Sequence, residues 1–229
     1  MKVLILAGGR GMRMMPLTSD RPKVLIEVDG RPWLSYLLEQ VQKAGFTEIG
    51  IVVGYKAELI KKFLATQKIK SHIFYQSEQL GTGHATLQAR EWLGNDDFIL
   101  LMGDNWWTTN DIKQLEKHDR YSYVTGIQEK KPEKFGVLQL NGECLGKIIE
   151  KPREFVSNLV NTGAYKFTKD IWYYLQKVTK NEKGEYYLTD AINLLAAERK
   201  VKVLLTRTWI DLGSPNDMLQ AAALLKKAG

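Results

Sequence analysis

The sequence predicts an α/β fold, a doubly wound, mostly parallel sheet with helices on both faces, and three observations carry the prediction. Short aliphatic and β-branched runs recur at Lys2–Leu6, 48–53, Ser71–Tyr75 and Phe98–Met102, as in strands buried on both faces. Helical patterns lie between them on short connections, the alternation of a parallel sheet. Beyond residue 110 the style changes to short strands joined by turns, with Asn141-Gly142 as a hairpin signal, so the sheet is expected to be mixed. The 229 residues fit one large domain able to bury a substantial core.

The first strand runs straight into a loop, residues 6–23, on which the functional argument turns. Residues 24–28 then read as a strand, turned by Asp29-Gly30. Pro32 opens a helix to Lys43 that carries Trp33, Leu34, Leu37, Leu38 and Val41 on one apolar face, and Gly45 ends it. Ala57–Thr66 is the next helix. The loop after Tyr75 holds Gly81 and Gly83, with Thr82 placed to cap a helix carrying Ala85, Leu87, Ala89 and Leu93. Residues 121–128, 135–140 and 146–150 read as strands of the second half. Val201–Leu205 is the last, and Ser214-Pro215 opens a final helix to Lys227. Right-handed crossovers place the loops after the parallel strands on one edge, where such sheets bind ligands.

Composition narrows the class. A hydrophobic fraction of 44% and a charged fraction of 26% are those of an ordinary soluble globule. Cys144 is the single cysteine, which excludes a disulfide framework and a cysteine metal site and suits a reducing cytosol. The N-terminal apolar run is too short for a signal peptide, and no apolar stretch approaches the roughly 20 residues that span a bilayer. A cytoplasmic protein without a membrane partner is expected. The net charge of +7 is spread among acids, as in Glu129-Lys130-Lys131-Pro132-Glu133-Lys134, with no basic block or nucleic-acid motif. Most of it reads as solvated surface, a few cations being reserved for phosphate, and nucleic acid is not an expected partner.

Several features of the 6–23 loop point at a polyphosphate. Gly8, Gly9 and Gly11 let backbone N–H groups approach a ligand with no Cβ in the way. Arg10 and Arg13 supply guanidinium forks, and Lys23 adds a mobile point charge. A dinucleotide fingerprint fails, because Met14 replaces the third glycine and Pro16 stands where its helix should run. A P-loop would need Gly-Lys-Ser/Thr, which is absent. A plain turn with solvated arginines accounts for three glycines, but poorly for the glycines, the arginines, Pro16-Leu17-Thr18 and Pro22-Lys23 within one loop. Elsewhere, Asp104 ends the apolar strand Phe98–Met102, where an acid suits magnesium on phosphates or serves a turn. The Gln76 amide both donates and accepts, as reading a pyrimidine edge requires, although a capped helix start explains its loop as well. His84 reads as structural, with no second histidine at a ligand or triad spacing. Trp106-Trp107 either stacks on a ligand or packs beneath the adjoining loop.

The run Leu-Ala-Gly-Gly-x-Gly-x-Arg-hydrophobic-x-Pro-Leu-Thr, followed by Pro-Lys, resembles the signature loop of the sugar-1-phosphate nucleotidylyltransferases, and every fixed position matches. The resemblance covers nearly the whole chain and implies a Rossmann-like fold and Mg²⁺-dependent transfer of a nucleotidyl group from a nucleoside triphosphate to a sugar 1-phosphate, releasing pyrophosphate. It implies Arg13, Lys23 and Asp104 as catalytic, with the backbone of Leu6, Ala7, Gly8, Gly9, Gly11 and Met12 around the nucleotide. The stretch Gln76-x-x-x-Leu80-Gly81-Thr82-Gly83-His84-Ala85 is similar to a uracil-reading loop, which puts Gln76, Gly81 and Thr82 on the base. Glu150-Lys151-Pro152, Asn161-Thr162-Gly163 and the 185–190 run resemble sugar-phosphate contacts, implying Gly136, Glu150, Lys151, Asn161, Tyr187 and Thr189. Asp211 would join Asp104 on the metal. The expected division is a nucleotide-binding half over about 1–110 and a sugar-phosphate half over about 111–229. No hexapeptide repeats follow, so the acetyltransferase β-helix of bifunctional members is not expected within these residues. The base loop and the 185–190 run favour uridylyl transfer to N-acetylglucosamine-1-phosphate. Gly103-Asp104-Asn105, Glu150-Lys151-Pro152 and Trp209-Ile210-Asp211 lean to thymidylyl transfer to glucose-1-phosphate. Other acceptors (muramic-acid sugar phosphate, mannose-1-phosphate, phosphocholine) and an inactive nucleotide-sugar-binding regulator are the alternatives.

Overall fold

A computed structural model describes residues 1–67, 69–198 and 200–228. In chain order the first half holds β1 (Lys2–Leu6), β2 (Glu27–Val28), β3 (Arg31–Pro32), α1 (Trp33–Lys43), β4 (Ile49–Val53), α2 (Ala57–Thr66), β5 (Ser71–Tyr75), α3 (Gly81–Leu87), α4 (Arg90–Leu93), β6 (Phe98–Met102), β7 (Asn105–Trp107) and α5 (Thr109–Lys113). The second half holds β8 (Ser122–Gln128), β9 (Gly136–Asn141), β10 (Cys144–Glu150), β11 (Leu159–Phe167), α6 (Ile171–Lys177), α7 (Leu188–Ala197), β12 (Val201–Leu205), β13 (Trp209–Asp211) and α8 (Asp217–Ala228).

Nine strands form one sheet in the order β5-β4-β1-β6-β11-β8-β12-β10-β9. The first four are parallel, and β11 runs antiparallel between β6 and β8. β12 is parallel to β8, while β10 is antiparallel to both β12 and β9. Val160 of β11 also pairs with Val137 of β9, so the last five strands close on themselves. Strand alternation splits the core across the two faces. Leu4 and Leu6 of β1 and Phe98 and Leu100 of β6 pack with helices α3, α4, α6 and α7, while Val3, Ile5, Ile99 and Leu101 pack with α1, α2 and α5. A third cluster of Met14, Ile26, Val28, Trp33, Trp106, Ile210, Leu212 and Ala221 lies apart from both.

Several local expectations shift. Residues 24–28 are not one strand: Lys23–Leu25 is a 3-10 turn, with Leu25 N–H on Pro22 O and Ile26 N–H on Lys23 O, and only Glu27–Val28 is extended. The helix expected after Gly83 is broken into α3 and α4. β9 and β10 reach further toward their hairpin than the sequence suggested, with an irregularity between Leu145 and Lys147. The final helix starts at Asp217, whose carboxylate accepts from Ser214 N–H and Oγ–H at 2.6 and 2.9 Å. Both tryptophans are core: Trp107 donates Nε1–H to Thr162 Oγ1, and Trp106 is 2% exposed in the third cluster, so neither is available to stack on a ligand.

Candidate active site

The carboxyl ends of β1, β4, β5 and β6 bring four loops to one edge, and backbone hydrogen bonds stitch them together. Ala7 N–H bonds Val52 O, Tyr55 N–H bonds Gly8 O, Gln76 N–H bonds Val53 O, and Gly103 N–H bonds Leu6 O. In the first loop Gly11 has φ +67, and a Cβ there would sit 2.8 Å from Lys23 Cβ, so both conformation and space require glycine. A 3-10 turn at Met12–Met14 follows. It sinks Met14 into the third core cluster and leaves Met12 and Arg13 outside, which fixes the turn by one anchor. Thr18 Oγ1–H closes the loop on Gly11 O at 3.0 Å.

Two carboxylates and two cations meet beside it. Lys23 Nζ donates to Asp104 Oδ2 at 2.7 Å with side-chain exposures of 10% and 28%, and Asn105 Nδ2 donates to Asp104 Oδ1 at 3.0 Å. β7 pairs antiparallel with β13, setting Asp211 opposite Asn105, and Leu212 N–H bonds Asp104 O. Burial pushes the Asp104 carboxyl up, but Lys23, through charge and hydrogen bond, outweighs it and holds the group below its ordinary value. Among the described residues Asp211 has no such partner. Burial and then the Asp104 charge push it up to about 6, against the opposing charges of Lys23 and Arg13. Among the described residues no group of three or more His, Cys, Asp or Glu side chains is arranged to hold a metal ion.

In the loop after β5, buried Gln76 donates Nε2–H to Gly81 O at 3.0 Å and lies 3.1 Å from His84 Nδ1. The Gly81 carbonyl fixes which end of the amide is nitrogen. The free Oε1 faces Gly8, 3.2 Å from where a Cβ would stand. Thr82 does not cap its helix. Its Oγ1 accepts from Leu188 N–H at 2.9 Å, and Gly83 N–H and Leu80 O bond Tyr186 O and N–H, lacing this loop to the start of α7. His84 acts through Gln76 and Gln88, in keeping with a structural role.

A cleft of about 760 Å³ opens from Arg13, Asp104 and Asp211 toward the second half. Thr82, Gly136, Glu150, Lys151, Asn161, Tyr187 and Thr189 line it, so every residue expected on the sugar phosphate reaches one cavity. Leu6, Ala7, Gly8, Gly9, Gly11, Met12, Lys23, Gln76 and Gly81 are not among its lining; they belong to the end of β1, the adjoining loops and the start of α3. Gly136 stands opposite Glu150 in the β9–β10 ladder, with Glu150 Oε1 only 3.1 Å from where its Cβ would be. Burial, and to a lesser degree the charge of Asp190, raise the Glu150 carboxyl above its ordinary value despite Lys151 and a Thr189 hydrogen bond. Asn161 donates Nδ2–H to the buried Tyr165 hydroxyl at 2.7 Å, and its Oδ1 accepts from Gly163 N–H. The cleft also holds Asn105, Glu129, Phe135, Tyr165 and Trp209, which the sequence did not single out as site residues. Trp209 donates to Asn105 Oδ1 at 2.8 Å and meets the Phe135 ring edge-on. Its sequence signal was its place in Trp209-Ile210-Asp211, quoted for the carboxylate and not for the ring.

A model of the nucleotidyl transferase family matches residues 2–228. The chain belongs to this family. Among relatives, the "Bifunctional protein GlmU" of Methanocaldococcus jannaschii is 39% identical over 225 residues, which are 96% of this chain and 53% of that protein. The "UTP--glucose-1-phosphate uridylyltransferase AglF" of Haloferax volcanii is 35% identical over 238 residues, covering 99% of this chain and 97% of the relative. This nucleotidyl transferase thus spans about half the length of the bifunctional relative and nearly all of the other, and the relatives place it among the sugar-phosphate nucleotidylyltransferases. In fold it superposes on a Bacillus anthracis protein crystallised with sucrose, with a TM-score of 0.89 over 100% of this chain and 96% of that one, at 24% identity. Among the described residues no helix is long and apolar enough to cross a membrane.

Proposed function

We propose that this chain transfers a uridylyl or thymidylyl group from the triphosphate to glucose-1-phosphate or N-acetylglucosamine-1-phosphate, releasing pyrophosphate. The observation that carries the reading is the meeting of Arg13, Asp104 (ion-paired to Lys23) and Asp211 in one cleft with Glu150, Lys151, Asn161 and Thr189. The sugar-phosphate oxygen attacks the α-phosphorus in line. Such a step needs alignment and charge neutralisation more than a general base, in keeping with a site that has no catalytic triad. Arg13 and the 8–12 backbone hold the leaving phosphates, Lys23 the α-phosphate and Lys151 the sugar phosphate. The first half serves the nucleotide and the second the acceptor.

Magnesium fits the donor set. Two hard oxygen donors, one pushed up to about 6 by burial and by its neighbour's charge, form a pair that a divalent cation would relieve. Asp104 and Asp211 would hold it, and it would neutralise phosphate charge on both substrates. For the base, Gln76 offers an acceptor, since its nitrogen is committed to Gly81 O; that suits the N3–H of uracil and thymine alike. The name of the Haloferax volcanii relative adds weight to uridylyl transfer.

The test is pyrophosphate release with Mg²⁺ across UTP, dTTP, CTP, ATP and GTP, each against glucose-1-phosphate, N-acetylglucosamine-1-phosphate, mannose-1-phosphate, muramic-acid sugar phosphate and phosphocholine. Release that needs both substrates, highest for UTP or dTTP with one of the first two acceptors, is the expected result. Silence with ligands still bound would instead mark a regulator.

A further inference from the structure

Tyr55, the second residue after β4, belongs to none of the motifs above, yet it touches the glycine-rich loop along its length. Its backbone N–H donates to Gly8 O at 3.1 Å, near the loop's start. Its hydroxyl donates to Ser19 O at 2.9 Å, with Thr18 O at 3.3 Å, near the loop's end. Its ring is within cation–π reach of Arg10, whose guanidinium carbon is 5.5 Å from the ring centroid, and of Lys56, whose Nζ is 5.6 Å from it. Gly54 before it cannot carry a side chain, because a Cβ would collide with Gln79 Nε2 and with Gly8 O. The ring and the loop are therefore held in one fixed relation.

Arg10 occupies the variable position of the glycine motif. It is exposed, and among the described residues it makes no hydrogen bond or ion pair. A guanidinium drawn to an aromatic ring by its charge keeps N–H groups free to grip phosphate oxygens in pairs. A lysine at this position would lose the fork.

We infer that Arg10 is a second phosphate-binding guanidinium for the terminal phosphates of the triphosphate, and that Tyr55 is its positioning residue. The inference rests on the nucleotidyl-transfer reading for its ligand, but the Arg10–Tyr55 pairing can be tested apart from it. The experiment is calorimetric titration with magnesium pyrophosphate, together with KM and kcat for UTP and dTTP where turnover is found. Arg10→Ala is expected to weaken pyrophosphate and raise the triphosphate KM about tenfold, with kcat within about threefold, as loss of a charge-assisted pair would do. Tyr55→Phe keeps the ring and loses the hydroxyl; Tyr55→Leu loses both. With Arg10 present, the Tyr55→Leu variant should bind at least about fivefold more weakly than the Tyr55→Phe variant; combined with Arg10→Ala, the two should bind alike. Arg10→Ala within twofold of wild type, or the same difference between the two Tyr55 variants in both backgrounds, would overturn the inference, the second outcome leaving Tyr55 a loop brace only. A wild type that does not bind pyrophosphate would overturn it as well. A wild type that binds pyrophosphate but turns over nothing sinks the functional reading alone, and the calorimetry still decides on Arg10.

Discussion

Asp104 and Asp211 are the same side chain, shifted in opposite directions by their neighbours. Lys23 sits on one of them, while the other is buried beside a like charge, so at neutral pH the pair gains from any further cation. Arg13 lies on the same cleft wall, on a turn whose backbone is set by Gly11 and the buried Met14. In the proposed reaction that turn would present the Arg13 guanidinium to the charge developing on the leaving phosphates. Arg13→Ala is expected to lower kcat by about 10²–10³, as loss of one such donor typically does. A drop below about fivefold in steady-state assays would remove Arg13 from the mechanism. Residues of this kind were legible in the sequence because the loop packs glycine, arginine, proline and lysine into a short, fixed spacing. Thr82 was misread for the opposite reason. Its partner, Leu188, lies 106 residues away, and no local pattern announces a hydroxyl whose acceptor role is fulfilled by a distant helix start. Trp106 and Trp107 were ambiguous because consecutive strand residues face opposite sides, and burial on both sides shows only in three dimensions.

At the scale of elements, the loop before α3 and the segment before α7 act as one piece. Three hydrogen bonds join them: Tyr186 N–H to Leu80 O, Gly83 N–H to Tyr186 O, and Leu188 N–H to Thr82 Oγ1, at 2.8, 2.8 and 2.9 Å. Gly81 must remain glycine there, because its φ is +92 and a Cβ would stand 2.6 Å from Tyr186 O. The loop proposed to read the base is thus fastened to the segment that brings Tyr187 and Thr189 to the cleft. Thr82→Val keeps the shape and removes the acceptor, leaving the Leu188 N–H unpaired at a loss of about 1–3 kcal/mol. The expected consequence is a rise of about tenfold in KM for the sugar phosphate, exceeding any rise for the triphosphate. Initial rates with each substrate varied in turn would show it. A change confined to the triphosphate would mean that the lacing does not position α7.

Across the whole molecule, legibility followed topology. β1, β5, β6 and α2, and in the second half β12, fall at their predicted bounds; β1 and β6 are covered on both faces and read as continuous apolar runs. The second half was blurred, since its five strands close through contacts as slight as the single registered pair between Cys144 and Lys202. Part of that closure is made by a side chain: Asn193 of α7 accepts from Ile148 N–H and donates to Ile148 O, serving β10 as a neighbouring strand would. The two halves meet along β11. At one end of it lies the site, where the ladder with β8 breaks between Asn161 and Tyr165. At the other end Lys166, 0% exposed, donates to the Asp119 and Tyr121 carbonyls before β8 at 2.9 and 2.8 Å and pairs with Asp97 before β6 at 2.7 Å. One ammonium therefore ties both halves at the edge of the sheet away from the cleft. Lys166→Met, similar in volume, leaves a carboxylate and two carbonyls without their donor and should destabilise the fold by about 2–4 kcal/mol. For a domain of this size that lowers Tm by roughly 4–16 °C. Because the lysine stands far from Arg13 and Asp104 in the sheet, KM for both substrates measured well below the transition should stay within about twofold of wild type. Scanning calorimetry beside kinetics separates the two effects. An unchanged Tm would deny Lys166 its role at the seam, and a large change in KM with Tm preserved would mean that the seam communicates with the site.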